Sequence, residues 1–133
     1  MDYQSSYHSK HLLLYHCILV CKYRKKLLQN IDIKNIFKEV EIQSNFKIIE
    51  CGFENDHIHI LIQSKPKYSP LSIVRRLKQL STKKIWLKYD LSKELWNEKT
   101  FWSDGYFIAT VGNSTLNIIQ QYIQCQGQFI PRS

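Results

Sequence analysis

The segment Asp56-His57-Ile58-His59-Ile60-Leu61-Ile62 sets two imidazoles one residue apart within an aliphatic run. In an extended strand, residues two apart point the same way. His57 and His59 would therefore project from one face, and Ile58, Ile60 and Ile62 from the other. Two neutral imidazoles side by side can ligate one metal ion. The same spacing also suits a polar pair on a half-exposed strand, and the pattern is too short to decide between them. A second group lies near the C-terminus. Tyr122 and Gln126 are four residues apart, so they share one face of a helix. The apolar stripe of that helix is Leu116, Ile119 and Ile123, with Ile118 beside it. Alone, Tyr122 reads as a surface residue with an apolar body and a wet hydroxyl. Beside two histidines, a phenol with a potential oxygen ligand one turn later makes a coherent site.

Several elements must position these groups. Residues 11–21 are rich in strand formers and read as a buried strand, followed by a basic loop at Lys22, Arg24, Lys25 and Lys26. Ile33, Ile36, Phe37 and Val40 recur at helical spacing within 32–46. Residues 47–52 and 57–63 read as a hairpin. Ser69-Pro70 has the form of an N-cap and a first-turn proline, opening a helix that runs to about residue 88. Residues 105–111 make a fourth strand, Gly112-Asn113-Ser114 breaks it, and 115–126 form a last helix. The order strand, helix, strand, strand, helix, strand, helix is the split βαβ, ferredoxin-like α+β pattern with one added C-terminal helix. No repeat, low-complexity tract or linker divides residues 1–133, so the reading is a single domain. That architecture alone licenses no function.

Composition narrows the partners. At 44% apolar and 23% charged residues the chain is in the globular range. Nineteen Lys+Arg against eleven Asp+Glu leave a net charge of +8, an excess that suits a polyanion such as nucleic acid. Lys22, Arg24 and Lys25 form one candidate DNA-binding cluster. Arg75, Arg76, Lys78 and Lys83 stud the second long helix and form another, although a solvated helix face would look the same. Phe101, Trp102, Tyr106 and Phe107 could stack on unpaired bases or pack in the core. Cys17, Cys21, Cys51 and Cys125 lack zinc-ribbon spacing and read as reduced thiols of a cytoplasmic protein. The run 12–20 holds Tyr15 and His16 and no cleavage site follows it, which argues against a signal peptide. No apolar run approaches the ~18 residues of a membrane span.

His57-Ile58-His59 resembles the HUH motif (His, bulky hydrophobic, His). Tyr122-x-x-x-Gln126 resembles the nucleophile helix of the single-tyrosine HUH transposases, encoded by the smallest bacterial and archaeal insertion sequences. Tyr15-His16 through Lys22-Tyr23-Arg24 is similar to that family's first strand and basic loop. Phe101-Trp102-Ser103 and Gly105 to Gly112 are similar to the segment leading into its nucleophile helix. The resemblance implies that Tyr122 attacks a phosphodiester of single-stranded DNA, forming a 5′-phosphotyrosyl bond and releasing a 3′-hydroxyl. Covalent capture conserves the bond energy, so another 3′-hydroxyl can reverse the step without ATP. It further implies a Mg²⁺ or Mn²⁺ ion held by His57, His59 and Gln126, which polarises the scissile phosphate and fixes its position. Ligand softness would favour a more borderline metal for two imidazoles. Hairpin DNA at the element ends and a homodimer sharing the nucleophile helix in trans are implied as partners, with Gly112-Asn113-Ser114 as the hinge.

Other readings stay open at this level. A non-enzymatic nucleic-acid-binding module would explain the charge but leave the histidines and Tyr122 idle. A zinc hydrolase could use His57, His59 and Cys51 but lacks a convincing carboxylate base. A domesticated repeat-processing relative would share the chemistry. His16, within a buried-type strand, reads as structural. Asp56 should point to the strand face opposite His57, capping the turn or orienting the site.

Overall fold

The computed structural model describes residues 13–112 together with Gln120, Ile123 and Gln124. β1 (Leu13–Cys21) is followed by two short 3₁₀ turns, Lys22–Arg24 and Leu27–Asn30. Then come α1 (Ile33–Ile42), the hairpin strands β2 (Lys47–Phe53) and β3 (His57–Ser64), and α2 (Pro70–Lys88). A short helix α3 (Ser92–Leu95) leads to β4 (Trp102–Thr110). The strands form one antiparallel sheet in the order β2-β3-β1-β4, the ferredoxin-like arrangement expected from the element order.

Burial in β1 alternates strictly. Tyr15, Cys17, Leu19 and Cys21 are buried, while Leu14, His16, Ile18 and Val20 are only partly covered. The expected buried strand is thus fully buried on one face only. One face enters the main core, where it meets Ile58, Ile60 and Ile62 of β3 and the buried sides of α1 and α2. The other face carries His57 and His59.

Asp32 caps α1 by accepting from Asn35 N at 3.4 Å. The helix stops at Ile42, four residues before its expected end. The Ser44 hydroxyl donates to the Val40 carbonyl at 2.6 Å, and Arg76 donates to the Gln43 carbonyl and to Ser44 Oγ. These bonds satisfy the last turn, and Phe46 is then folded into the core. Ser69 caps α2 by accepting from Ser72 N at 3.1 Å, with Pro70 in the first turn and the helix ending at Lys88 as expected. Lys88 and Lys84 of α2 both reach Glu39 of α1, at 2.6 and 3.9 Å. β4 begins at Trp102, three residues earlier than its glycine suggested, and Phe101 and Trp102 belong to the core. The expected helix over 115–126 lies outside the described residues except at Gln120, Ile123 and Gln124, which are helical.

One buried polar link ties α2 to β4. Trp102 Nε1 donates to Ser81 Oγ at 2.8 Å, and Ser81 Oγ donates to the Leu77 carbonyl. Ser81→Ala should leave the indole N–H without an acceptor and cost about 1–3 kcal/mol. In urea unfolding the midpoint should fall while the slope stays unchanged.

Candidate active site

Register defines the face that carries the histidines. Ile18 of β1 pairs with His59, Val20 with His57, and His16 with Leu61. On β2, Gly52 pairs with His59 and Glu50 with Leu61. On β4, Phe107 pairs with Ile18 and Ala109 with His16. Directly paired residues share a face, so all of these line one side of the sheet. Both long helices cover the other side.

His57 and His59 stand together as their spacing predicts, with ring centroids 5.1 Å apart and planes at 71°. Each ring is held at Nδ1. His57 Nδ1 lies 2.8 Å from Asp56 Oδ1. A carboxylate only accepts, so Nδ1 carries the hydrogen, and the lone pair of the neutral ring is at Nε2. Asp56 therefore contacts the His57 ring directly and does not turn away to the opposite face. Asp56 also takes Arg24 Nη2 at 3.2 Å. Burial raises the Asp56 pKa, but the hydrogen bonds and charges of His57 and Arg24 outweigh that effect and hold it below the usual carboxylate range.

His59 Nδ1 lies 3.0 Å from His16 Nε2. The two rings are within 16° of parallel and their centroids are 5.2 Å apart. That separation is close to the hydrogen bond plus the two ring radii, so the rings meet edge to edge rather than face to face. Burial lowers the His16 pKa, which favours the neutral ring with a lone pair to offer. If the His59 Nδ1–H donates to His16, metal ligation by His59 runs through Nε2. Carboxylate or imidazole partners of this kind set the tautomer and aim of metal-binding histidines.

These two imidazoles suit a divalent ion. With metal–nitrogen bonds of about 2.1 Å, two rings at neighbouring positions of one ion take up close to the observed spacing. Among the described residues, no set of three or more His, Cys, Asp or Glu side chains could hold a metal. Gln126, the expected third donor, lies outside the described residues, as does Tyr122. Their neighbours are informative. Ile123 is fully buried, and Gln124 Nε2 donates to Glu50 Oε2 at 2.7 Å. Glu50 belongs to the histidine face, so Gln124, two residues after Tyr122, reaches that side of the sheet. Nothing in the sequence marked Glu50 or His16 for these roles, because only strand register places them on the face that carries His59.

Cys51 pairs with Ile60 and so faces the core, away from His59, and burial pushes its thiol up to about 12. It cannot join the histidines in a zinc site, and that rival loses its third ligand. Cys17 and Cys21 are likewise buried, with thiols pushed up to about 12 by burial.

The expected DNA-binding residues fall in two places. Lys22, Arg24 and Lys25 leave the end of β1 beside Asp56 and His57. Arg75, Arg76, Lys78 and Lys83 lie on α2, with the sheet between them and the histidines. There Lys78 Nζ donates to the Ser103 carbonyl at 2.7 Å and Arg76 braces the end of α1, while Arg75 and Lys83 are exposed. Tyr106 and Phe107 are exposed, and Phe107 meets the edge of His16 at 6.1 Å. Among the described residues no helix is long and apolar enough to cross a membrane.

Residues 9–126 match the family model "Transposase IS200 like". The chain is 30% identical over 118 residues to the ISDra2 transposase TnpA of Deinococcus radiodurans, covering 86% of this chain and 84% of that protein. It is 30% identical over 128 residues to the transposase for insertion sequence element IS200 of Salmonella typhimurium, covering 94% of this chain and 84% of that one. A solved structure of a candidate transposase from Deinococcus radiodurans superposes with a TM-score of 0.67 at 26% identity, over 87% of this chain and 92% of that chain. A REP-associated tyrosine transposase solved with a REP hairpin shares the fold, with a TM-score of 0.62 at 15% identity over 85% and 65% of the two chains. A transposase is an enzyme, so the reading of a purely nucleic-acid-binding module is set aside. The chain belongs to the IS200-like transposase family and is a DNA transposase.

Proposed function

We propose that this transposase cleaves and rejoins single-stranded DNA through a 5′-phosphotyrosine at Tyr122, at a site where His57, His59 and Gln126 hold Mg²⁺ or Mn²⁺. The observation that carries the reading is the histidine face itself. Two rings with pinned Nδ1 atoms stand 5.1 Å apart, on the side of the sheet that Gln124 reaches. When bound, the ion supplies Lewis-acid polarisation of the scissile phosphate.

The chain's own residues do the rest. The Tyr122 phenol oxygen attacks phosphorus and gives up its proton, while the bond from phosphorus to the 3′-oxygen breaks and that oxygen gains one. Asp56 and His16 hold the two histidine rings in place. Lys22, Arg24 and Lys25 contact phosphates beside the reacting one, and the exposed Arg75 and Lys83 meet DNA on the far side. Hairpin recognition is part of the proposal, supported by the REP-hairpin complex of the neighbouring fold. So is a homodimer. If the nucleophile helix is shared in trans, the Gln124–Glu50 bond is the contact that would be exchanged between subunits.

The reading is tested by incubating the chain with labelled single-stranded DNA from the element ends and Mg²⁺ or Mn²⁺. A covalent adduct that survives denaturing electrophoresis supports it, and absence of any adduct removes it. The positioning role of His16 has its own test. His16→Leu keeps the bulk but removes the acceptor, and should weaken Mn²⁺ binding by about 10–100-fold. His16→Gln, whose amide oxygen can accept from His59 Nδ1–H, should restore most of it. Titration followed by the Mn²⁺ electron spin resonance signal reads both without any reaction.

A further inference from the structure

The loop after β1 and the segment after α3 meet at one corner of the molecule, and the chain is contorted there. Four non-glycine residues have positive φ among the described residues: Tyr23 (59°), Arg24 (53°), Trp96 (55°) and Lys99 (58°). All four belong to this corner. Trp96, with ψ of −137°, occupies a region that side chains rarely enter. Such backbone is costly, survives only where the surroundings impose it, and concentrates at functional sites.

The contortion holds two large aromatic rings outward. Tyr23 is 53% exposed and Trp96 is 58% exposed, and their rings meet edge to face at 5.9 Å. Neither serves the core. The Tyr23 hydroxyl donates to the Glu98 carboxylate at 3.1 Å, which fixes the ring without covering it. A lysine ammonium lies over one face of each ring. Lys22 Nζ lies 5.7 Å from the Tyr23 ring, and Lys25 Nζ lies 5.1 Å from the Trp96 ring. Arg24, exposed, reaches back to Asp56 and so links the corner to His57.

We propose that Tyr23 and Trp96 form a stacking platform for an unpaired nucleobase of the DNA strand whose phosphate lies at His57 and His59. The assignment rests on the single-stranded DNA reading given above. Exposed aromatic faces rimmed by cations are the recurrent way of holding single-stranded nucleic acid, with bases on the rings and phosphates on the cations. The Arg24–Asp56–His57 chain places the platform beside the histidines. A strand crossing the site can thus leave one phosphate at the histidines and lay a neighbouring base on the platform.

Binding of a fluorescein-labelled 20-residue oligothymidylate to the full chain is compared with binding of an abasic oligomer of the same length. Trp96→Leu and Tyr23→Leu should each weaken oligothymidylate binding about 5- to 150-fold. They should leave binding of the abasic oligomer unchanged, and Trp96→Phe should keep most of the wild-type affinity. Both residues are exposed, so circular dichroism and melting should match the wild type. Unchanged oligothymidylate affinity in the Leu variants overturns the platform, as expected if the rings serve a protein partner. Equal loss for both oligomers overturns it too, because the effect would then lie in phosphate contacts. A wild-type chain that binds neither oligomer removes the platform together with the single-stranded DNA reading.

Discussion

A chain carrying Tyr122→Phe should bind single-stranded DNA as the wild type does and form no covalent adduct with it. The substitution removes one oxygen and keeps the ring, so the shape and the net charge of the site persist. The cations proposed to hold the DNA, Lys22, Arg24 and Lys25, are untouched. What disappears is the atom proposed to bond to phosphorus. Enzymes that lose their nucleophile fall by on the order of 10⁴-fold or more, because the remaining groups act only in concert with it. A gel-shift titration beside denaturing electrophoresis separates the two readouts. An adduct that persists at wild-type yield in this variant would move the nucleophile to another residue.

His57→Ala should abolish cleavage through a different loss. His57 is partly exposed and its ring is held by Asp56, so the fold should survive its truncation. Residues that merely orient a metal ligand cost about 10–100-fold in affinity when removed, and losing the ligand itself should cost more than about 100-fold. Mn²⁺ titration reads that loss, and the adduct assay should show none at Mg²⁺ concentrations that saturate the wild type. His59→Ala should cost as much in metal binding and also destabilise the fold. His59 is buried, and its removal leaves a cavity and strips His16 of its partner, a penalty of about 1–3 kcal/mol for the unpaired nitrogen alone. The contrast between the two histidines is itself informative. Equal melting temperatures for the two variants would contradict the structural half of the His59 role.

Much of this site could be read in the chain. Strand alternation is a local rule, so His57 and His59 were bound to share a face once the segment was extended. Helix periodicity and the Ser69-Pro70 start are local as well, and α2 follows them from end to end. Misreadings arose where tertiary contacts decide. α1 ends early because Arg76, from a distant helix, satisfies its last turn. β1 read as a buried strand because its second face is apolar too, yet that face, with Ile18 and Val20, is only half covered and flanks the histidines. Asp56 turns to His57 because Arg24 and the ring draw it there, against the alternation expected of a strand end. His16 read as structural, with no hint in the sequence that its partner is His59, because nothing local pairs it with a residue 43 positions away. Trp96 carried no signal at all, since its exposure comes from backbone that no composition rule anticipates. Tyr122 and Gln126 were named from spacing and family resemblance, and they lie outside the described residues.

The central claim is that Tyr122 becomes covalently joined to the 5′-phosphate of cleaved single-stranded DNA. The most direct test is to trap the adduct with Mn²⁺, digest protein and DNA, and sequence the modified peptide by mass spectrometry. The predicted result is one nucleotide phosphate on Tyr122, with a free 3′-hydroxyl on the released strand. Modification of any other residue, or cleaved DNA with no modified peptide, would contradict it.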